Sequence, residues 1–248
     1  MGDDKGSWRK GARSGPQLAD LHRQGVLAWK PVPNGEISAG GGLAGRTGTN
    51  PIGLGSRRDG LAYIPESAAP DNPRPLLVMF HGAGASARDV MPMIAEIAER
   101  RSVMVLAPDS RGNTWDVIEH EYGPDVAFLD LALNQAFENG AVDARHVAFA
   151  GFSDGGSYAL SLGLINGELV SDALGFSPGY IAPTRKEDAP RFFISHGRED
   201  PVLPIERCGR RIAGELRRAG YDVDYREFSG GHVAPPDMIA TAFRRFLG

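Results

Sequence analysis

Residues 147–157 read Val147-Ala148-Phe149-Ala150-Gly151-Phe152-Ser153-Asp154-Gly155-Gly156-Ser157. The first four form a short apolar run, the pattern of a strand buried on both faces of a parallel sheet. From 156 to 164 apolar residues return at helical spacing. Between the two lies Gly-x-Ser-x-Gly. A strand that becomes a helix within so few residues forces the central serine into a strained conformation with its hydroxyl pushed outward. Gly151 and Gly155 are required because a Cβ at either position would collide with the neighbouring strand or helix. The start of the helix adds unpaired N–H groups and the positive end of its dipole beside the hydroxyl. With 33 glycines in 248 residues, the pentapeptide alone is a weak signal, and its surroundings decide its meaning.

Working outward, 60–65 reads as an edge strand, and 76–80 and 103–107 as buried strands. Helical spacing covers 89–101 through Val90, Ile94 and Ile97, and 125–139 through Val126, Leu129, Leu133 and Phe137, with Asp125 as N-cap. Downstream, 173–177, 191–195 and 221–228 read as strands, and 206–219 and 236–247 as helices. This alternation predicts an α/β fold: a mostly parallel central sheet with helices on both faces. Such sheets carry their sites at the carboxyl ends of the strands. Residues 1–58 differ. Gly40, Gly41, Gly42, Gly45 and Gly48 sit among polar residues, and only 17–29 offers a short helix. They are expected to form a Gly-rich N-terminal extension that lies on the domain or stays mobile, with the catalytic domain spanning 59–248.

Composition narrows the function. Hydrophobic content of 42% and charged content of 23% are ordinary for a globular protein, and a net charge of −4 argues against a nucleic-acid partner. Arg207, Arg210, Arg211, Arg217 and Arg218 share one predicted helix and read as a solvated face. Cys208 is the only cysteine, so neither an intrachain disulfide nor a cysteine-based metal site can form. No apolar run reaches the length of a membrane span. No secretory signal follows Met1, and the expected location is cytoplasmic.

A serine hydroxyl needs a base to become a nucleophile. His81, His196 and His232 all follow strands. His232 is the favoured base because it stands in Gly230-Gly231-His232, a flexible loop directly after the last strand and able to lean over a central turn. His81 and His196 are read as structural. The imidazole in turn needs an acid to fix its tautomer. Asp200 ends the adjacent strand and is favoured over its neighbour Glu199 and over Asp109.

The succession Ser153, Asp200, His232 with the Gly-x-Ser-x-Gly turn resembles the α/β-hydrolase superfamily, for which this order is a hallmark. Within it the chain looks like the phospholipase/carboxylesterase branch, which includes feruloyl-esterase-like and polyester-depolymerase-like members. The resemblance spans residue 60 to the end and rests on His81-Gly82-Ala83-Gly84, Gly151–Gly156, His196-Gly197 with Asp200, and Gly231-His232. It implies an oxyanion hole made by the backbone N–H groups of Ala83 and Asp154. The Asp154 carboxylate departs from what such a site favours unless it points away, is paired, or caps its helix. Only 178–190 separates two strands where many relatives insert a helical cap, so no cap domain and an open cleft are expected. Trp115 and Tyr180 lie in strand-end loops as candidate pocket walls, with a core role for Trp115 equally open.

The resulting expectation is a serine-dependent carboxylic ester hydrolase that acts through an acyl-enzyme, takes a small-molecule or polymeric ester and calls on no metal or cofactor. A peptidase, thioesterase or acyltransferase could use the same three residues. An inactive hydrolase fold serving as a binding module is the alternative of another class.

Overall fold

The computed structural model describes residues 15–28, 43, 45–67, 73–119, 121–139, 142–186 and 190–248. Gly40 to Gly42 and His120 lie outside them. Among the described residues one sheet comprises β1 (Gly48–Pro51), β2 (Gly60–Ile64), β3 (Arg74–Phe80), β4 (Met104–Pro108), β5 (Val142–Phe152), β6 (Asp172–Phe176), β7 (Arg191–Gly197) and β8 (Val223–Phe228). Their spatial order is β1-β2-β4-β3-β5-β6-β7-β8. The first two strands run antiparallel to their neighbours, and the remaining six are parallel. The helices are α1 (Gly15–Arg23), α2 (Ala87–Arg100), α3 (Asp116–Glu119), α4 (Pro124–Asn139), α5 (Asp154–Ile165), α6 (Gly209–Arg218) and α7 (Pro236–Leu247).

Strand alternation sorts the core into two faces. Leu76, Val78 and Phe80 of β3 and Val147 and Phe149 of β5 pack with α4 and α5 on one side. Leu77, Met79, Ala148 and Ala150 face α2 and α7 on the other. On the first face α6 adds Ile212 and Leu216 against Phe192 and Ile194 of β7. Helix α5 is buried continuously from Gly155 to Ile165. A helix that is apolar all round suits its place on the sheet with α4 and α6 to either side. This packing holds β5, and the turn at its end, in the middle of the molecule.

Two expectations change. The 60–65 strand is not the edge: β1 lies outside it, pairing Gly48 with Ile64 and Pro51 with Leu61. The boundary expected after residue 58 therefore falls inside the sheet. Parts of the expected extension are also built into the core. Val26, Leu27 and Ile52 are buried, and Asn166 at the end of α5 accepts the Leu27 N–H and donates to the Gly25 carbonyl, both at 2.9 Å. No helix among the described residues is long and apolar enough to cross a membrane. No helix interrupts the described part of the β6–β7 connection.

Candidate active site

The turn after β5 is as tight as its sequence demands. Ser153 has φ 57° and ψ −120°, the left-handed region that L residues avoid. It is held by its N–H bond to the Phe176 carbonyl at 2.9 Å. A Cβ on Gly151 would stand 2.1 Å from the Gly155 carbonyl oxygen, and one on Gly155 would stand 2.2 Å from that of Phe80. Only hydrogen fits at either position. The Ser153 hydroxyl emerges at the start of α5, at the carboxyl end of the central strand.

His232 reaches it. Its Nδ1 lies 2.7 Å from Asp200 Oδ2 and its Nε2 2.9 Å from Ser153 Oγ. Burial alone would raise the Asp200 carboxyl, but the Leu203 and Val202 N–H groups and His232 outweigh it and hold the group below the usual carboxylate range. Asp200 is thus ionised at neutral pH, so Nδ1 carries the hydrogen and donates. Nε2 then presents its lone pair to the Ser153 hydroxyl, the tautomer a general base requires. Asp200 Oδ1 accepts the Val202 and Leu203 N–H groups at 2.9 and 2.8 Å, which fixes the carboxylate from behind. The Phe152 ring lies 4.8 Å from the His232 ring and supports it from the side.

Gly197, which closes β7, has a packing reason. A Cβ on Gly197 would meet the Gly231 carbonyl oxygen at 2.2 Å, so the β8–α7 loop rests directly on the end of β7. Glu199, the rival acid, is committed elsewhere: its carboxylate accepts the Gly230 N–H. One acid therefore pins the loop and its neighbour meets the imidazole. Asp109 is committed to the Ala87 N–H at the start of α2.

His81 and His196 are both buried and structural. Ser110 N–H donates to His81 Nε2 at 3.0 Å, so His81 Nδ1 carries the hydrogen, bonding the Gly82 carbonyl at 2.7 Å. His196 Nε2 donates to the Leu203 carbonyl at 2.8 Å and sits 3.3 Å from Asp200 Oδ2. Burial lowers both histidines from their ordinary value, which keeps them neutral. His196 thus braces the loop that carries Asp200.

The other candidates divide. Gly82 packs against the elbow: an added Cβ would lie 3.4 Å from Ser153 Cβ. Asp154 is the first residue of α5, and its N–H is one of the unpaired groups of that helix end. Its carboxylate does not cap α5; Oδ2 accepts the Thr114 hydroxyl at 2.8 Å instead. Nothing in the sequence spacing links Thr114 to Asp154, forty residues apart. Trp115 is withdrawn as a pocket wall. It is 1% exposed, stacks on Tyr158 and donates from its indole N–H to the His81 carbonyl at 2.8 Å. Its size is used to hold the loop core, not to meet a ligand. Tyr180 is half-buried, and its N–H lies 3.3 Å from Oγ of Ser157, which stands one helical turn after Ser153.

Solved esterase structures share this fold. Esterase PE8 superposes with a TM-score of 0.60 at 24% identity, over 74% of this chain and 98% of that one. The propionate-bound Est2 esterase from Thermogutta terrifontis superposes with a TM-score of 0.59 at 19% identity, over 81% of this chain and 90% of its own. The chain has the α/β-hydrolase fold. Residues 127–247 match the phospholipase/carboxylesterase family model, a stretch that contains Ser153, Asp200 and His232. Acyl-protein thioesterase 1 of Gibberella zeae is 32% identical over 117 residues, 43% of this chain and 49% of the relative. Feruloyl esterase C of Emericella nidulans is 27% identical over 166 residues, 64% of this chain and 60% of the relative. The chain thus spans between half and three fifths of the length of these curated relatives.

Proposed function

We propose that this α/β-hydrolase is a serine-dependent carboxylic ester hydrolase working through an acyl-enzyme. The observation that carries the reading is the unbroken relay Asp200–His232–Ser153, with hydrogen-bond distances of 2.7 and 2.9 Å at the end of the central strand. Ser153 Oγ attacks the ester carbonyl carbon while His232 Nε2 takes its proton. The negative charge that forms on the carbonyl oxygen is received by the N–H groups of Ala83 and Asp154. Collapse breaks the bond to the alcohol, which leaves with the proton held by His232, and the acyl group stays on Ser153. Water then gives its proton to His232 and attacks the acyl carbon, and collapse releases the acid as His232 returns that proton to Ser153 Oγ. Asp200 stays ionised throughout and stabilises the imidazolium.

Thr114 supports this reading by holding the Asp154 carboxylate to one side, which leaves the main-chain donor serviceable. Val202 and Val233, 61% and 49% exposed, flank Asp200 and His232 in sequence and offer apolar surface to an acyl or alcohol group. The open cleft suits short- to medium-chain or aryl esters, with Tyr180 as a wall. The names of the relatives favour ester or thioester bonds over amides.

Matched ester, thioester and anilide substrates with a common butyryl group test the assignment. The ester is expected to have the highest kcat/KM and the anilide to fall at least about a hundredfold below it. A thioester preference of similar size would move the function to the thioesterases, and a faster anilide would make the protein a peptidase.

A further inference from the structure

The loop from Ser110 to Asp116 touches both places where the proposed reaction needs an N–H donor. The Asn113 carbonyl accepts the Gly84 N–H at 2.8 Å, one residue past Ala83. Thr114 holds the Asp154 side chain. The Trp115 indole donates to the His81 carbonyl, and the Ser110 N–H to the His81 ring, so the loop supports the 81–84 turn along its length.

Residues 109–115 have no regular secondary structure of their own, and one carboxylate grips both ends of the stretch. Asp125 Oδ1 accepts the Arg111 N–H at 2.5 Å, and Oδ2 accepts the Asp116 N–H at 2.8 Å. Asp125, expected as an N-cap, is instead the second residue of α4 with its side chain turned back to this loop. Asp116 reciprocates, its Oδ2 accepting the Asp125 and Gly123 N–H groups at 2.9 and 2.8 Å. The Arg111 guanidinium lies 3.8 Å over the Phe128 ring and donates to Ser56 Oγ and the Asp109 carbonyl, anchoring the same end to α4 and β4.

We infer that Asp125 is a positioning residue: by pinning Arg111 and Asp116 it sets the separation of the Ala83 and Asp154 N–H groups. Its catalytic consequence rests on the ester-hydrolase reading, while its structural consequence rests on the hydrogen bonds alone. The carboxylate is an expensive choice for a loop tie. It is almost wholly buried, and burial together with the neighbouring Asp116 charge pushes it up to about 7. Groups perturbed in this way gather where geometry serves chemistry. Asparagine has the same shape but only one acceptor oxygen, so one of the two loop ends would face an N–H with no partner.

Asp125→Asn removes half of the grip and one partner of the Arg111 ion pair, while the Arg111 guanidinium keeps its bonds to Ser56 Oγ and the Asp109 carbonyl. Amide hydrogen exchange at Gly84, followed by NMR, is expected to accelerate at least about tenfold, with the β3 and β5 amides unchanged. On a butyrate ester, kcat is expected to fall roughly 10- to 100-fold with KM within about twofold, the signature of misplaced transition-state donors. Thr114→Val, which releases only the Asp154 side chain, should show the same split more weakly and decides the matter if Asp125→Asn does not fold. A folded Asp125→Asn with wild-type kcat, or with unchanged Gly84 exchange, overturns the proposal. Failure of the wild type to hydrolyse any ester would count against the enzyme reading instead, and Gly84 exchange would then decide the clamp by itself.

Discussion

Ser153→Ala is expected to fold like the wild type and to hydrolyse short-chain p-nitrophenyl esters about four to six orders of magnitude more slowly. The substitution removes a single oxygen. The Cβ that sits against Gly82 remains, as does the N–H bond to Phe176 that holds the turn. The only side-chain partner lost is His232 Nε2, and an imidazole at the mouth of a cleft can turn to water. Alanine tolerates φ 57° no worse than serine, because the clash there is with Cβ, which both possess. Stability should therefore change by less than about 1 kcal/mol while the nucleophile disappears. Whatever activity survives would come from the two backbone donors and from binding, which alone leave a residual catalysis of about 10³ to 10⁴ over water. Initial rates and thermal melts of the two proteins check both halves. A variant retaining a tenth of the wild-type rate would mean that another group attacks the carbonyl.

Gly155→Ala is expected to be among the most disruptive single-carbon changes at the described glycines. The added Cβ would lie 2.2 Å from the Phe80 carbonyl oxygen and 2.5 Å from that of His81. Both atoms are backbone of the central sheet and its following turn, so no side-chain rotation can relieve the contact. Relief requires α5 to lift from β3, which would open the tightly packed contacts around Phe80 and Tyr158 and move Ser153 away from Gly82. A loss of more than about 4 kcal/mol follows, enough to leave little folded protein. Gly214→Ala is the matched control. It lies within α6, has nothing within 4 Å of the added carbon, and should gain up to about 1 kcal/mol from helix propensity. Denaturant midpoints of the two variants separate the cases. Similar stabilities for both would show that the elbow is looser than its contacts imply.

The parts of this fold legible in the sequence are those where one residue type has no substitute. Gly151, Ser153 and Gly155 declare the turn because only those shapes fit it, and apolar runs such as 76–80 declare strands buried on both faces. The base was readable because His232 follows the last strand within a glycine loop. The choice between Asp200 and Glu199 could only be ranked, since a shift of one residue exchanges them and the Gly230 N–H that occupies Glu199 is 31 residues away. Strand β1 escaped notice because Gly48-Thr49-Asn50-Pro51 is an outer strand with no apolar face to bury, so its pairing with β2 leaves no hydrophobic period. Trp115 illustrates the opposite difficulty. A large aromatic in a strand-end loop can face a ligand or a core, and only the Tyr158 ring and His81 carbonyl beside it decide. The Asp125 tie is invisible for a related reason: its partners are backbone N–H groups, which every residue but proline possesses.

The most direct test of the central claim is the site and rate of covalent capture by a fluorophosphonate, read by peptide mass spectrometry. The expected result is a single adduct on Ser153 that forms readily in the wild type and at least about a hundredfold more slowly in His232→Ala. An adduct on another residue, or equal rates in the two proteins, would contradict the relay from Asp200 through His232 to Ser153.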